Sequence, residues 1–189
     1  MKTKILGLLA AGLMAGPTGA GAVELIVNQD GVLVGATGVV VAGATYNVEF
    51  VAGTCIELFS GCDEVGDFTF QDAASAEAAA NALLSSVFTG IYDTDPSRTF
   101  NCTANGCFVL TPFNFIEFPG PILNVLLFTA FNTATDDNTA LQSLAPSDDL
   151  VQFPDIVYAR WTSVPEPGSL ALLGLGLAGL SLSRRRKAA

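Results

Sequence analysis

The chain has 189 residues, 18 acidic and 8 basic, with no histidine and a net charge of −10. That length holds one ordinary domain with short appendages. The missing histidine excludes Ser-His-Asp and Cys-His relays, HExxH metal sites and Cys/His zinc fingers, and the acidic balance argues against a nucleic-acid partner.

Charge divides the chain into three parts. Lys2 and Lys4 stand at the front, and Arg184, Arg185, Arg186 and Lys187 at the back. Between them, residues 23–164 hold 17 acidic residues against only Arg98 and Arg160, a formal charge of −15. All 13 phenylalanines fall between Phe50 and Phe153. Residues 1–22 read as a secretory signal peptide: a positive start, an apolar stretch from Ile5 to Gly16, and the small-x-small site Ala20-Gly21-Ala22. Cleavage by signal peptidase is expected before Val23.

Residues 23–163 read as an acidic extracytoplasmic domain. Leu25–Val27 and Val32–Val34 flank a turn at Asn28-Gln29-Asp30-Gly31. Val39–Val41 leads through Ala42-Gly43-Ala44-Thr45 into Tyr46-Asn47-Val48-Glu49-Phe50, whose alternation puts Tyr46, Val48 and Phe50 on one face of a strand. Cys55 and Cys62 enclose six residues, enough for one helical turn. Phe68 with Phe70 suggests a further strand. From Asp72 to Phe88 the spacing of Ala76, Ala80, Leu83 and Val87 predicts a helix, capped by Asp72 and ended by Gly90, with Glu77, Asn81 and Ser85 facing water. Cys102 and Cys107 bracket an Asn105-Gly106 turn signal, the pattern of a hairpin tip. Phe108–Leu110, and Phe113 with Phe115, suggest strands. Val125–Phe131 is apolar on both faces, as in a strand buried on two sides. Val151–Phe153 and Ile156–Trp161 close the domain. The expected class is α+β: a mainly antiparallel sheet with one amphipathic helix packed on it.

In an exported chain, four cysteines in two close pairs predict structural disulfides. Cys55 with Cys62 and Cys102 with Cys107 is the local choice among three connectivities. The competing four-cysteine zinc site prefers pairs two to four residues apart, which Cys55/Cys62 exceeds.

Residues 164–189 read Val164-Pro165-Glu166-Pro167-Gly168-Ser169, an apolar run from Leu170 to Leu182, then Ser183 and the basic cluster. As a helix, Gly168 to Ser183 is about 24 Å long, short for a hydrocarbon core of about 30 Å, and the basic residues hold its end in the cytoplasm. This box, helix and cluster resemble the PEP-CTERM sorting signal of Gram-negative bacteria. The resemblance implies recognition by exosortase through Pro165, Glu166 and Pro167, with Arg184, Arg185 and Arg186 as the stop. It also implies transient membrane anchoring, then passage to the cell surface or outside, in genomes that typically make exopolysaccharide for matrix or biofilm. The pattern GxGxxG at Gly174–Gly179 has no βαβ unit to serve and reads as small residues in a membrane helix.

No catalytic motif stands out, and no cofactor or metal is expected. A hydrolase here would need paired carboxylates, which no pattern marks. The densest acidic spots, Asp93/Asp95, Asp136/Asp137/Asn138 and Asp148/Asp149, offer the oxygen ligands calcium prefers but read more simply as solvated loops. The sequon Asn101-Cys102-Thr103 is taken as chance. The leading expectation is a non-catalytic surface or matrix protein. Behind it stand a glycan- or cation-binding module, in which Trp161 and Tyr158 are the aromatics to test, and a carboxylate hydrolase.

Overall fold

A computed structural model describes residues 22–118, 122–165, 168 and 175. Ala20, Glu166, Pro167, Arg184, Arg185 and Arg186 therefore lie outside the described residues, as does most of both apolar targeting segments. Among the described residues no helix is long and apolar enough to cross a membrane.

Seven strands form one sheet: β1 (Glu24–Val27), β2 (Leu33–Val41), β3 (Ala44–Val51), β4 (Cys107–Phe118), β5 (Ile122–Asn132), β6 (Asn138–Leu144) and β7 (Ile156–Ser163). Their order is β1-β2-β3-β7-β4-β5-β6. Neighbours are antiparallel except β4 and β7, which pair in parallel over Phe108–Leu110 and Ile156–Tyr158, so the sheet is mixed. β1–β2, β2–β3 and β5–β6 are neighbours joined by short connections, whereas β7 crosses back from β6 and fills the gap between β3 and β4.

The β2–β3 turn uses only Ala42 and Gly43, both at positive φ (49° and 88°), which matches the twist of a hairpin. Ala44 and Thr45, expected in the loop, already belong to β3. Gly35 sits where β2 and β3 approach closely: a β-carbon there would clash with the Val48 carbonyl oxygen and lie 3.1 Å from the Glu49 α-carbon.

One face of the sheet is covered from β2 to β5, and the other over β4, β5 and the first half of β7. On the first lies α2 (Ala73–Ala82), whose Ala76, Ala79 and Ala80 are fully buried. Methyl-sized side chains let the helix approach the sheet closely, in one buried cluster with Val39, Val48, Val109, Phe113 and Ala130. Asp72 caps the helix through a 2.9 Å bond accepted from Ser75 N–H, and Glu77, Asn81 and Ser85 face water. The helix finishes in a single π turn, Leu83–Val87, and closes at Phe88, which stacks on Phe50 with centroids 5.7 Å apart. Gly90, expected as its terminator, instead starts the short α3 (Ile91–Thr94) with φ 61°.

On the other face α1 (Cys55–Leu58), Phe59, Phe68 and Leu150 cover Leu110, Val125, Leu127 and Tyr158. Phe68 and Phe70 are not a strand. They lie on the stretch leading from α1 to α2, and each enters a different core cluster. Thr69 between them donates to the Trp161 carbonyl at 2.7 Å. Phe113 and Phe115 also face opposite ways, because a bulge between Pro112 and Asn114 inserts one residue. The same bulge explains a proline inside a central strand, since β7 stops pairing with β4 at Leu110. β5 is buried on both sides as its composition predicts, with Val125 and Leu127 on one face and Ala130 on the other. Val151–Phe153 is not a strand: Leu150–Gln152 forms a 3₁₀ turn, and Val151 and Phe153 stay on the surface.

Candidate functional site

The functional segments meet at one end of the sheet. β1 starts there, with Glu24 opposite Thr37. The Ala42–Gly43 turn lies there, and β7 ends there with Ser163 opposite Tyr46. The expected signal-peptide junction, Ala22–Val23, therefore stands immediately before β1, and Val23 already packs on the core. β1 and β7 are separated by β2 and β3, three strand spacings or about 14 Å. The expected signal-peptide junction and the start of the Pro-Glu-Pro box both lie at this tail end.

β7 is held tightly up to that exit. Trp161 is buried, donates its indole N–H to Thr111 Oγ1 at 3.2 Å, and meets Phe70 and Tyr46 edge-on at 5.5 and 6.3 Å. Val164 N–H still donates to the Thr45 carbonyl at 2.9 Å, and Pro165, with no N–H, follows exposed. The backbone is thus fixed to within one residue of the Pro-Glu-Pro box. Arg160, on this strand, pairs with Glu49 at 2.6 Å.

Acidic residues occur at both ends of the sheet, with Glu24 and Glu117 at the tail end and a further group at the opposite end. Asp30, Asp136, Asp137 and Asp155 lie in or beside its loops. Asp137 is pushed above the usual carboxylate range, chiefly by desolvation, against the Thr133 N–H bond that lowers it and with Asp93 and Asp136 adding repulsion. Asp72 is held below that range by its bonds from Ser75.

The sequence-predicted site residues separate clearly in the structure. Cys55–Cys62 and Cys102–Cys107 are disulfides, with Cα separations of 5.7 and 5.0 Å. The second closes a small hairpin in which Thr103 pairs with Gly106, so its tip is Ala104–Asn105, one residue before the expected Asn-Gly. Each acidic spot organises its own loop. Asp137 accepts from Thr133 N–H, Asp148 from Ala145 N–H and Asp149 from Val151 N–H, at 3.0–3.2 Å. Among the described residues no three His, Cys, Asp or Glu side chains converge on a point that could hold a metal ion. Trp161 and Tyr158 are core residues at 5% and 0% exposure, so neither offers a glycan a stacking surface. Burial also raises the Tyr158 hydroxyl pKa well above its ordinary value.

Two features escaped the sequence reading. Asn101, at φ 55°, points its amide nitrogen at three carbonyls, those of Leu150, Phe153 and Ile156, at 3.2, 3.3 and 3.1 Å. This engages the sequon asparagine in holding the crossover. The uncovered face of β1, β2, β3 and β7 carries a shallow groove of about 330 Å³, lined by Ile26, Val34, Thr37, Asn47, Arg160 and Thr162 among others. The only sequence signal for that groove is the polar half of the strand alternation.

Residues 163–187 match the family model described as the PEP-CTERM protein-sorting motif. The chain is a PEP-CTERM domain-containing protein. The match spans Pro165, Glu166, Pro167, Arg184, Arg185 and Arg186, and starts on the last residue of β7. A PEP-CTERM motif is a sorting signal recognised by exosortase, and it implies export and membrane-anchored sorting. No curated protein and no solved structure matches the chain.

Proposed function

We propose that this PEP-CTERM protein is a non-catalytic structural component of the cell surface or extracellular matrix. Exosortase removes it from its membrane helix and leaves it in an exopolysaccharide-rich layer. The observation that carries the reading is the arrangement of its ends. Both expected targeting segments join a disulfide-tied sheet at one end, so the opposite end, with Asp30, Asp136, Asp137 and Asp155 in or beside its loops, lies farthest from them. A domain hung in this way presents that opposite end away from the bilayer. After release, the charge keeps the protein soluble in a hydrated matrix. The close join between β7 and the Pro-Glu-Pro box means that exosortase works against the folded domain.

The test is intact mass and fractionation of the exported protein in its host, with and without exosortase. A chain starting at Val23, ending near Pro165–Gly168 and lying in the matrix fraction supports the reading. A chain of the same mass in both strains, still in the membrane fraction, overturns it.

A glycan-binding module is the second reading, favoured by the groove beside Arg160, where Thr37, Asn47 and Thr162 offer hydrogen-bonding groups on an apolar floor. It predicts that Asn47→Ala or Thr162→Ala weakens retention on the host's own exopolysaccharide. Unchanged retention would exclude the groove.

A further inference from the structure

β6 is an edge strand without the usual protection. Exposed edges are normally blunted by lysine, proline, a bulge or a cover, because their free N–H and C=O groups invite another strand. β6 runs Asn138-Thr139-Ala140-Leu141-Gln142-Ser143-Leu144 with no charge and no proline, and it pairs regularly with β5 over all seven residues. Among the described residues it has no partner on its other side. The opposite edge differs: β1 has four residues, begins with Glu24 and is bulged at Ile26/Val27. Leu141 stands at the middle of β6 and is 54% exposed.

We propose that β6 pairs antiparallel with β6 of a second copy, across a two-fold axis at Leu141, once exosortase has released the chain. The proposal rests on the sorting role described above for its timing only. Seven residues centred on Leu141 are self-complementary. The register sets Leu141 opposite Leu141, Thr139 opposite Ser143 and Ala140 opposite Gln142. Thr139, Leu141 and Ser143 share the α2 face, as their partners Ala130 and Phe128 show. A leucine pair flanked by hydroxyl pairs is a favourable cross-strand set. Charge chooses the place: in a domain with 17 acidic residues against two arginines, Asn138 to Ser147 carries none. Direction chooses the time. β6 and β7 both run toward the tail end, so an antiparallel partner has its tail at the far end of the pair. Two copies anchored in one bilayer point the same way and cannot form it.

The test uses exported protein purified from its host, studied by sedimentation velocity up to about 1 mM, the weak end of specific association. Wild type is expected to dimerise reversibly. Leu141→Lys and Leu141→Glu are each expected to stay monomeric, and an equimolar mixture of the two to recover a one-to-one dimer. Circular dichroism checks that both variants fold, which the exposure of position 141 favours. Should either misfold, Leu141→Cys is expected to give a disulfide-linked dimer with oxidised glutathione, while Glu77→Cys is not. A monomeric wild type, single variants that dimerise as well as wild type, or a mixture that stays monomeric would each overturn the proposal. Dimers that fail the charge swap in a correctly processed chain would sink this pairing and leave the sorting role standing.

Discussion

Asn101 bonds three carbonyls of the crossover and the start of β7 through one side chain, and replacing it gives a sharp test. Its NH₂ group carries two hydrogens and faces three carbonyls, so it contributes about two hydrogen bonds, one of them shared. At about 0.5–1.5 kcal/mol each, Asn101→Gly is expected to cost about 1–3 kcal/mol. Glycine keeps the φ of 55°, so this variant removes the bonds without adding backbone strain. For a domain of this size the loss lowers Tm by about 5–10 °C. Asn101→Asp is more severe, because a carboxylate presents only acceptors to three acceptors. Its folded-state pKa must rise above the unfolded value of about 3.9. A carboxyl with a raised folded pKa is relatively favourable below the unfolded pKa, and that advantage is lost as pH rises through the folded pKa. The deficit of Asn101→Asp relative to wild type should therefore be smallest near pH 3–4 and grow toward pH 7. Near-UV circular dichroism melts of exported wild-type and variant protein across that range measure it. A variant as stable as wild type at pH 7, or a deficit that does not change with pH, would refute the role given to this amide.

Three further outcomes are expected. Gly35→Ala should cost about 3 kcal/mol or more, read by urea unfolding, because the new methyl meets backbone at the β2–β3 contact and no side chain can move aside. Replacing Cys55/Cys62 or Cys102/Cys107 by serine pairs should each cost about 2 kcal/mol, the loop-entropy value for such short loops. The two losses should add, because the bridges belong to different core clusters. Asp137→Asn should raise Tm slightly at pH 7, by about 1–2 °C. Its carboxyl is raised in the fold, chiefly by desolvation, so the aspartate costs stability once pH exceeds its unfolded value, whereas asparagine keeps the acceptor for Thr133 N–H. The gain should vanish below about pH 3, and thermal melts at the two pH values decide it.

The elements legible in the sequence are those whose signal is contiguous. The 3.6-residue spacing from Ala76 to Val87, the alternation at Tyr46–Phe50 and the two-sided apolar run Val125–Phe131 each appear where expected. The misses have physical causes. β6 is polar and half exposed, so it has no apolar period, and its strand state comes from seven residues of pairing with β5. Phe68/Phe70 and Phe113/Phe115 show the right alternation for the wrong reason. In the first pair an irregular segment feeds two cores, and in the second a bulge reverses the parity. Trp161 and Tyr158 read as ligand-facing aromatics only because sequence cannot say which face of a central strand is covered.

What the sequence by itself determines here is the sorting motif and local form. The PEP-CTERM motif at residues 163–187 is legible because its Pro-Glu-Pro box, apolar run and arginine cluster are contiguous in the chain. The short disulfide loops are set by sequence spacing as well, because so few residues allow little else. Tertiary structure alone decides that β7 enters the middle of the sheet, that β1 starts and β7 finishes at the same end, and that the uncharged β6 lies at an edge. Those facts depend on which distant strands pair. Hydrogen-bonded partners in a sheet are chosen by burial on both faces and by chain connectivity, and neither is written in any local window.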